Sequence, residues 1–233
     1  MSIFVMEVKK RMIISTIGPS CFNLSTLRNM KKSGMDIARI NTKHASEKEI
    51  RENSNKIRKI NCNLLIDIKS DKYLNVVNNI KPDYVAVSYA SSTERIKKIK
   101  KRTGVKIISK IETKKGIANV KKLIKVSDGV MIARGDLGKN ISYSKVPTYQ
   151  KLIIKECLKN NRMVITATEM LMSLMDSKIP EGSEVSDIAN AVLDGSDALM
   201  LSEETAIGKN PVLAVKVMKR IIDDTIKLKD KEL

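Results

Sequence analysis

Two charged side chains, Lys110 and Glu112, end an apolar run at residues 105–111 that is typical of a β-strand. Residues two apart in a strand point to the same face, so the ammonium and the carboxylate are expected to lie side by side. Asp136 follows the next apolar run, Gly129–Ala133, and its carboxylate is expected to converge with that of Glu112. Two carboxylates that leave positions open for water and substrate oxygens suit Mg²⁺. The spacing therefore predicts a magnesium site, although a salt-bridged loop also accounts for Lys110 and Glu112.

Other polar residues at predicted strand ends add chemistry suited to phosphate and enolate groups. An ammonium such as that of Lys110 beside a divalent metal stabilises an enolate or a transferring phosphoryl group. Arg39 offers a planar donor fork that matches phosphate. The Thr168 hydroxyl can orient a proton or a carboxylate oxygen, although a lone threonine also serves as a helix cap. Gly135 and Gly138 either allow an anion to approach backbone N–H groups or form a simple turn.

The elements that must position these residues follow an alternation of short β-branched runs and longer amphipathic runs. The pattern predicts strands at residues 12–17, 36–41, 63–68, 84–88, 105–111, 129–133, 163–166 and 198–202. It predicts helices at 24–33, 46–59, 72–80, 92–102, 114–124, 146–160, 183–193 and 211–228. Eight βα units favour an α/β fold of the closed TIM (β/α)8 barrel type over an open doubly wound sheet. We expect one minimal barrel domain over residues 1–233.

Composition excludes several protein classes. A chain of 233 residues with 42% hydrophobic residues can bury a core without a disulfide or metal staple. Cys21, Cys62 and Cys157 form no CxxC pair, which favours reduced thiols and a cytoplasmic protein. No stretch approaches the roughly 18 apolar residues that a membrane helix requires. We therefore expect neither secretion nor a membrane partner.

The formal net charge of +18 has three interpretations: a nucleic-acid footprint, attraction of small anionic substrates, or solvated lysine-rich helix faces. Proteins that bind unpaired nucleic-acid strands usually interleave aromatic residues with basic ones, and this chain has two Phe, five Tyr and no Trp. A basic run at residues 95–102 is typical of an exposed helix face. A nucleic-acid partner is disfavoured, and the positive field favours a phosphorylated or carboxylate ligand.

Several stretches of the sequence resemble the catalytic barrel of the pyruvate kinase family. They are Thr16-Ile17-Gly18-Pro19, residues 33–41 (SGMDIARIN), 107–112 (IISKIE), 127–138 (SDGVMIARGDLG) and 184–206 (EVSDIANAVLDGSDALMLSEETA). The resemblance extends from about residue 13 to 71 and from about 81 to 226. It implies a barrel of the phosphoenolpyruvate/pyruvate type.

The resemblance also implies how the substrate would be held. Arg39 and Lys110 would contact the phosphoryl group and the developing enolate of phosphoenolpyruvate. Gly135, the Asp136 N–H and Thr168 would hold its carboxylate. Thr168, Arg39 and Lys110 would thus be the catalytic residues.

The resemblance also implies which residues would bind the cations and the nucleotide. Glu112 and Asp136 would hold Mg²⁺, and Asn41 and Asp67 resemble ligands of the family's monovalent cation, K⁺. His44 occupies the position of a family histidine beside the nucleotide phosphates of ADP or ATP, although a single histidine is also a common structural hydrogen-bonder.

The chain departs from the family pattern in its domains. Around residues 71–82, where the family inserts a lid domain, only a short segment connects two predicted elements. The family's lid closes over ADP and excludes water, so its loss is expected to weaken nucleotide binding and to admit water. The sequence ends at Leu233, and we expect no carboxyl-terminal regulatory domain.

Individual residues depart as well. Lys43 replaces a cation-ligating serine, and either Lys43 or Lys72 could substitute electrostatically for K⁺. Glu203 replaces a glycine that allows close approach. Gly182 replaces an arginine that family members often use at a subunit interface, where a homo-oligomer would form.

These observations leave three functional hypotheses. The first is Mg²⁺-dependent phosphoryl transfer between phosphoenolpyruvate and ADP, slowed by loss of the lid. The second is a lid-less metal-dependent lyase, decarboxylase or aldolase acting on enolpyruvate or pyruvate. The third is a non-catalytic module that binds phosphoenolpyruvate.

Overall fold

The computed structural model describes residues 10–229, and eight parallel strands within that range close into a barrel. The strands pair in chain order, and the last returns to pair with the first, Met12 opposite Ala198. They are β1 (Met12–Thr16), β2 (Met35–Asn41), β3 (Asn63–Ile68), β4 (Tyr84–Val87), β5 (Lys106–Ile111), β6 (Gly129–Ala133), β7 (Met163–Ala167) and β8 (Ala198–Leu201). The predicted barrel and all its predicted strands are confirmed.

Helices surround the barrel. They are α1 (Leu24–Lys32), α2 (Glu47–Lys59), α3 (Leu74–Ile80), α4 (Thr93–Thr103), α5 (Lys114–Ala118), α6 (Val120–Val126), α7 (Arg134–Ile141), α8 (Val146–Lys159), α9 (Gly182–Asp194), α10 (Glu203–Ala206) and α11 (Pro211–Lys229). Short 3₁₀ turns lie at Pro19–Cys21, Asp71–Tyr73, Tyr143–Lys145 and Met172–Met175. None of the helices between residues 10 and 229 is both long and apolar enough to cross a membrane.

Two apolar layers follow from the alternation of side chains along each strand. The layer inside the barrel consists of Ile14, Ile37, Leu65, Ala86, Ile108, Met131, Ile165, Ala167, Ala198 and Met200. The intervening strand residues point outward and pack against the helices, as Ile13 and Ile107 do. The inner layer fixes which residues face inward at the next level of each strand.

The helices differ from the prediction at four places, of which one is the short helix α10, which was not predicted. The expected helix at 114–124 is two helices, because the chain breaks at Asn119, whose side chain donates to the Ser91 carbonyl at 3.0 Å. The expected helix at 72–80 begins as a 3₁₀ turn before α3. The residues after β6 were expected to end the strand or form a turn, yet they form α7 despite the low helix propensity of Gly135 and Gly138.

The cysteines provide a test of the packed core. Cys21, Cys62 and Cys157 are free and buried, and burial is the main cause that raises their thiol pKa values to about 11, about 11 and about 12. Because the thiolate is the reactive form, we expect alkylation by iodoacetamide at about pH 8 to proceed only as fast as the chain unfolds. Rapid modification of any cysteine in native protein, measured by mass spectrometry against a guanidinium-unfolded control, would contradict this packing.

Candidate active site

Five strands each place a polar side chain directly above the inner apolar layer, at the carboxyl end of the barrel. Each lies two residues after an inward-facing apolar residue of the same strand or its immediate extension, and therefore also faces inward. These residues are Thr16, Arg39, Asp67, Ser88 and Lys110. A cavity of about 520 Å³ opens above them.

Asp67 lies at the bottom of this cluster and is 1% exposed. Its Oδ2 accepts from Arg39 Nε at 3.1 Å and Nη2 at 2.8 Å, and it lies 3.0 Å from Lys110 Nζ. Its Oδ1 accepts from Ser88 Oγ at 3.0 Å. The orientation of the Arg39 guanidinium is fixed further because its Nη1 donates to Thr16 Oγ1 at 2.8 Å. One buried carboxylate thus orients the Arg39 guanidinium and the Lys110 ammonium, both of which line the cavity.

Burial alone would raise the pKa of Asp67, but the adjacent Lys110 ammonium and Arg39 guanidinium outweigh it and lower the pKa to about 2. Burial acts in the opposite sense on Lys110, and the carboxylates of Asp67 and Glu112 outweigh it, so the pKa of Lys110 is raised. Both groups are therefore charged at neutral pH, and Lys110 is a fixed positive charge rather than a proton donor.

Glu112 and Asp136 line the same cavity as Lys110. Glu112 Oε1 is 3.0 Å from Lys110 Nζ, and its Oε2 accepts from the Tyr89 backbone N–H. Burial raises the pKa of Glu112 despite the opposing effect of Lys110. The pKa of the Tyr89 phenol is also raised, first by burial and then by the negative charges of Asp136 and Glu112.

The donor set suits a hard divalent cation. Arg39 and Lys110 balance Asp67 and Glu112, whereas the Asp136 carboxylate has no hydrogen-bond or ion-pair partner in the part of the chain that the structure describes. Between residues 10 and 229 no three His, Cys, Asp or Glu side chains form a metal-binding group. A cation here would therefore take two protein carboxylates and complete its shell with water or substrate oxygens, as Mg²⁺ commonly does.

Thr168 and Gly135 meet beside these carboxylates. The Gly135 N–H, in the first turn of α7, donates to Thr168 Oγ1 at 2.8 Å, and Thr168 Oγ1 donates to the Ala167 carbonyl at 2.6 Å. Thr168 therefore contacts the start of α7 and does not act as an N-cap of its own helix. Gly138, in contrast, packs against the Tyr143 ring, which a Cβ would approach to 2.6 Å.

The residues assigned to nucleotide and monovalent cation, apart from Asp67 in the buried cluster, lie on the cavity wall at and after the end of β2. Asn41, Lys43 and His44 all line the cavity, and His44 and Lys43 are exposed. Asn41 Oδ1 accepts from the Lys43 backbone N–H at 3.1 Å. Lys72 instead places its Nζ over the Tyr73 ring, 4.9 Å from the centroid.

Sequence reasoning missed three members of the site: Thr16, Ser88 and Tyr89. The signal for Thr16 and Ser88 was available, because each follows an inner-layer residue, Ile14 or Ala86, by two positions. No sequence signal marks Tyr89, which is 43% exposed and has a left-handed backbone with φ of 54°. A non-glycine residue in this conformation costs about 1–3 kcal/mol and often lies at a functional site.

Comparison with known proteins gives consistent matches. The profile described as "Pyruvate kinase, barrel domain" matches residues 66–215. The pyruvate kinase of Clostridium perfringens is 45% identical over 145 residues, which are 60% of this chain and 31% of the relative. The pyruvate kinases of Methanocaldococcus jannaschii and Thermotoga maritima are 42% and 43% identical, over 60% and 62% of this chain and 32% of each relative. The match therefore spans about a third of the length of these relatives.

Proposed function

Because this chain belongs to the pyruvate kinase barrel-domain family, we propose that it catalyses Mg²⁺-dependent phosphoryl transfer between phosphoenolpyruvate and ADP, giving pyruvate and ATP. The observation that carries this proposal is the position of Lys110, whose Nζ lies 3.0 Å from both Asp67 and Glu112 in a cavity that Asp136 also lines. A fixed ammonium beside two carboxylates suits a reaction that develops negative charge on an enolate oxygen.

Glu112 and Asp136 would hold Mg²⁺, which supplies a Lewis acid that offsets charge on phosphoryl and enolate oxygens. Arg39 and Lys110 would bind the phosphoryl group from the opposite side. Their orientation by Asp67 means that neither needs to rearrange during transfer, which is how a pre-organised site lowers a barrier.

The substrate carboxylate would bind at Gly135 and Thr168. Their mutual hydrogen bond of 2.8 Å places an N–H and a hydroxyl side by side, and a carboxylate can accept from both once the pair separates. The Asp136 N–H, next along α7, would provide a further donor. This arrangement selects a carboxylate on the carbon beside the reacting enol.

The residues assigned to the nucleotide and the monovalent cation fit these ligands less well than the other residues fit the substrate. His44 and Lys43 would contact the nucleotide phosphates from the cavity wall. Asn41 and Asp67 would hold K⁺, but both Asp67 oxygens already accept side-chain hydrogen bonds, and Lys43 lines the same cavity as Asn41. We therefore propose that Lys43, rather than Lys72, supplies the positive charge and that turnover depends little on K⁺.

The opening of the cavity limits the expected rate of phosphoryl transfer. Residues 69–83 connect β3 to β4 through one 3₁₀ turn and α3, with no further element above the cavity. ADP would bind weakly and water would compete for the phosphoryl group. We expect slow turnover, with phosphate release accompanying ATP formation.

The decisive experiment measures pyruvate and ATP formed from phosphoenolpyruvate, Mg²⁺ and ADP. Asp136→Asn is the sharpest variant, because this carboxylate makes no hydrogen bond or ion pair within residues 10–229 whose loss would disturb folding. We expect it to lower kcat/KM by at least about 100-fold. The matched control Asp224→Asn alters an exposed carboxylate on α11 and is expected to leave the rate unchanged.

Thermal melts separate binding from turnover. A ligand at about a hundred times its Kd stabilises the folded state by roughly 2.7 kcal/mol. We expect phosphoenolpyruvate to raise the Tm only with Mg²⁺, and ADP to add little. Mg²⁺-dependent proton exchange at the pyruvate methyl group without ATP formation would favour a lyase or aldolase instead, and absence of any ligand shift would leave a non-catalytic role.

A further inference from the structure

The Arg134 guanidinium lies buried at the start of α7, away from the cavity, and uses all five of its N–H groups. Its Nε and Nη2 donate to the Thr168 carbonyl at 3.1 and 2.6 Å, and Nη2 also donates to the Glu169 carbonyl at 2.9 Å. Its Nη1 donates to Asp187 Oδ2 at 2.6 Å and to Gln150 Oε1 at 3.4 Å. One side chain thus ties the loop after β7 to α8 and α9.

The loop that Arg134 holds has an unfavourable backbone. Thr168 and Glu169 have φ values of 71° and 54°, the left-handed region that side chains with a Cβ rarely adopt. The other non-glycine residues with positive φ in residues 10–229 include Asn61, Lys81 and Asn161, which follow the ends of helices, where this conformation is common. Thr168 and Glu169 instead follow a strand, so surrounding contacts must hold them.

We propose that Arg134 is a positioning residue that, with Asp187, holds Thr168 in this conformation so that its hydroxyl meets the Gly135 N–H at the cavity. The inference deepens the proposed function, on which it rests for the role of Thr168. Two consecutive residues of α7 hold Thr168: the Arg134 guanidinium binds its carbonyl, and the Gly135 N–H binds its hydroxyl. The geometry of the carboxylate subsite then depends on a side chain that does not touch substrate.

Arginine is required here for a chemical reason. Its planar fork donates to two adjacent carbonyls and a carboxylate at once, whereas the ammonium of a lysine has three donors on a flexible stem. Asp187 compensates the buried charge and is itself 34% exposed, so it can be solvated when Arg134 is removed. Loss of Arg134 therefore frees the loop without leaving a fully buried, unpaired carboxylate.

Hydrogen exchange of the Gly135 amide tests the positioning directly. This amide lies in the first turn of α7 and donates to Thr168 Oγ1, so its exchange reports on that contact. We expect Arg134→Lys and Arg134→Met to speed exchange at Gly135, measured by NMR, at least about tenfold, as Thr168→Val does. Lys151→Met is the matched control, because it also removes an ion pair to α9, Lys151 Nζ to Asp194 Oδ1 at 2.6 Å, without touching the loop.

Kinetics test the consequence for catalysis. Arg134→Lys is expected to lower kcat/KM for phosphoenolpyruvate at least about tenfold while the KM for ADP changes less than about twofold. Combining Arg134→Lys with Thr168→Val is expected to cost no more than Thr168→Val alone, since both act on one hydroxyl. A merely structural role would multiply the two losses, as Lys151→Met and Thr168→Val should.

The outcomes separate this inference from the proposed function. If Gly135 exchange in folded Arg134→Lys matches wild type, Arg134 does not position Thr168 and the inference is overturned. The same holds if the two kinetic losses multiply. If the wild-type protein forms no pyruvate while Arg134→Lys still exposes the Gly135 amide, the proposed function fails and the positioning stands. If Arg134→Met does not fold, Arg134→Lys alone decides.

Discussion

Replacement of Lys110 by methionine is expected to lower pyruvate formation by about a thousandfold, the scale measured when a pre-organised charge-stabilising donor is removed. Lys110 Nζ lies 3.0 Å from Glu112 Oε1, so its loss also leaves a buried carboxylate without its cation. Asp67 keeps its contacts with Arg39. We therefore expect destabilisation of about 3 kcal/mol, measured by urea unfolding, in a protein that still folds.

The matched control is Lys100→Met, which removes a partly exposed ion pair between Lys100 Nζ and Asp128 Oδ1 at 2.7 Å. Its rate should equal that of wild type, and its stability should change by less than about 1 kcal/mol. A Lys110→Met protein as active as this control would show that the ammonium does not act on the reacting group, and would remove the main support for phosphoryl transfer.

Replacement of Asp67 by asparagine is expected to cost about 3–5 kcal/mol of stability, the largest loss we predict for a single substitution. The carboxylate accepts from Arg39, Lys110 and Ser88 while fully buried, so asparagine leaves the buried Arg39 without a carboxylate partner and Lys110 with Glu112 alone. The control Asp71→Asn removes a half-exposed partner of Arg95 and should cost less than about 1 kcal/mol. Equal losses in the two variants would contradict the central role of Asp67.

The stability that Asp67 contributes is expected to decrease at acid pH. The pKa of Asp67 falls from 3.8 to about 2 on folding, because Lys110 and Arg39 outweigh the effect of burial. A lowered pKa stabilises the folded state above pH 4, and this stabilisation of about 2 kcal/mol is lost as the pH falls from about 4 to about 2. Wild-type stability measured by urea unfolding across this range should therefore drop more steeply than that of Asp67→Asn. Parallel curves would mean that Asp67 is not paired as described.

The strands could be predicted because a barrel strand buried on both sides is a short β-branched run, and each such run here is bounded by polar residues. Helix α7 could not, because Gly135 and Gly138 carry no helical signal and the helix depends on tertiary contacts such as the packing of Tyr143 on Gly138. In α7, tertiary packing therefore outweighs the low helix propensity of the two glycines.

The approach of Lys110, Glu112 and Asp136 could be predicted, because each lies at or just after the end of a recognisable strand and all three line one cavity. Sequence could not show that Asp67 binds Arg39 and Lys110, because the three residues lie on separate strands and their approach depends on barrel stagger. The hydrogen bonds from Arg134 to the loop after β7 could not be predicted either, because they join residues that are distant in the sequence.

The pairing of β1 with β8 has a consequence for the order in which the protein folds. These strands lie near opposite ends of the described chain, and Thr16, which orients Arg39, donates to the Leu201 carbonyl across their junction at 2.9 Å. A nascent chain cannot complete the cluster until the residues of β8 have left the ribosome, and contacts so distant in sequence form slowly. The proposed phosphoryl-transfer activity should therefore return last on refolding, after helical circular dichroism has recovered.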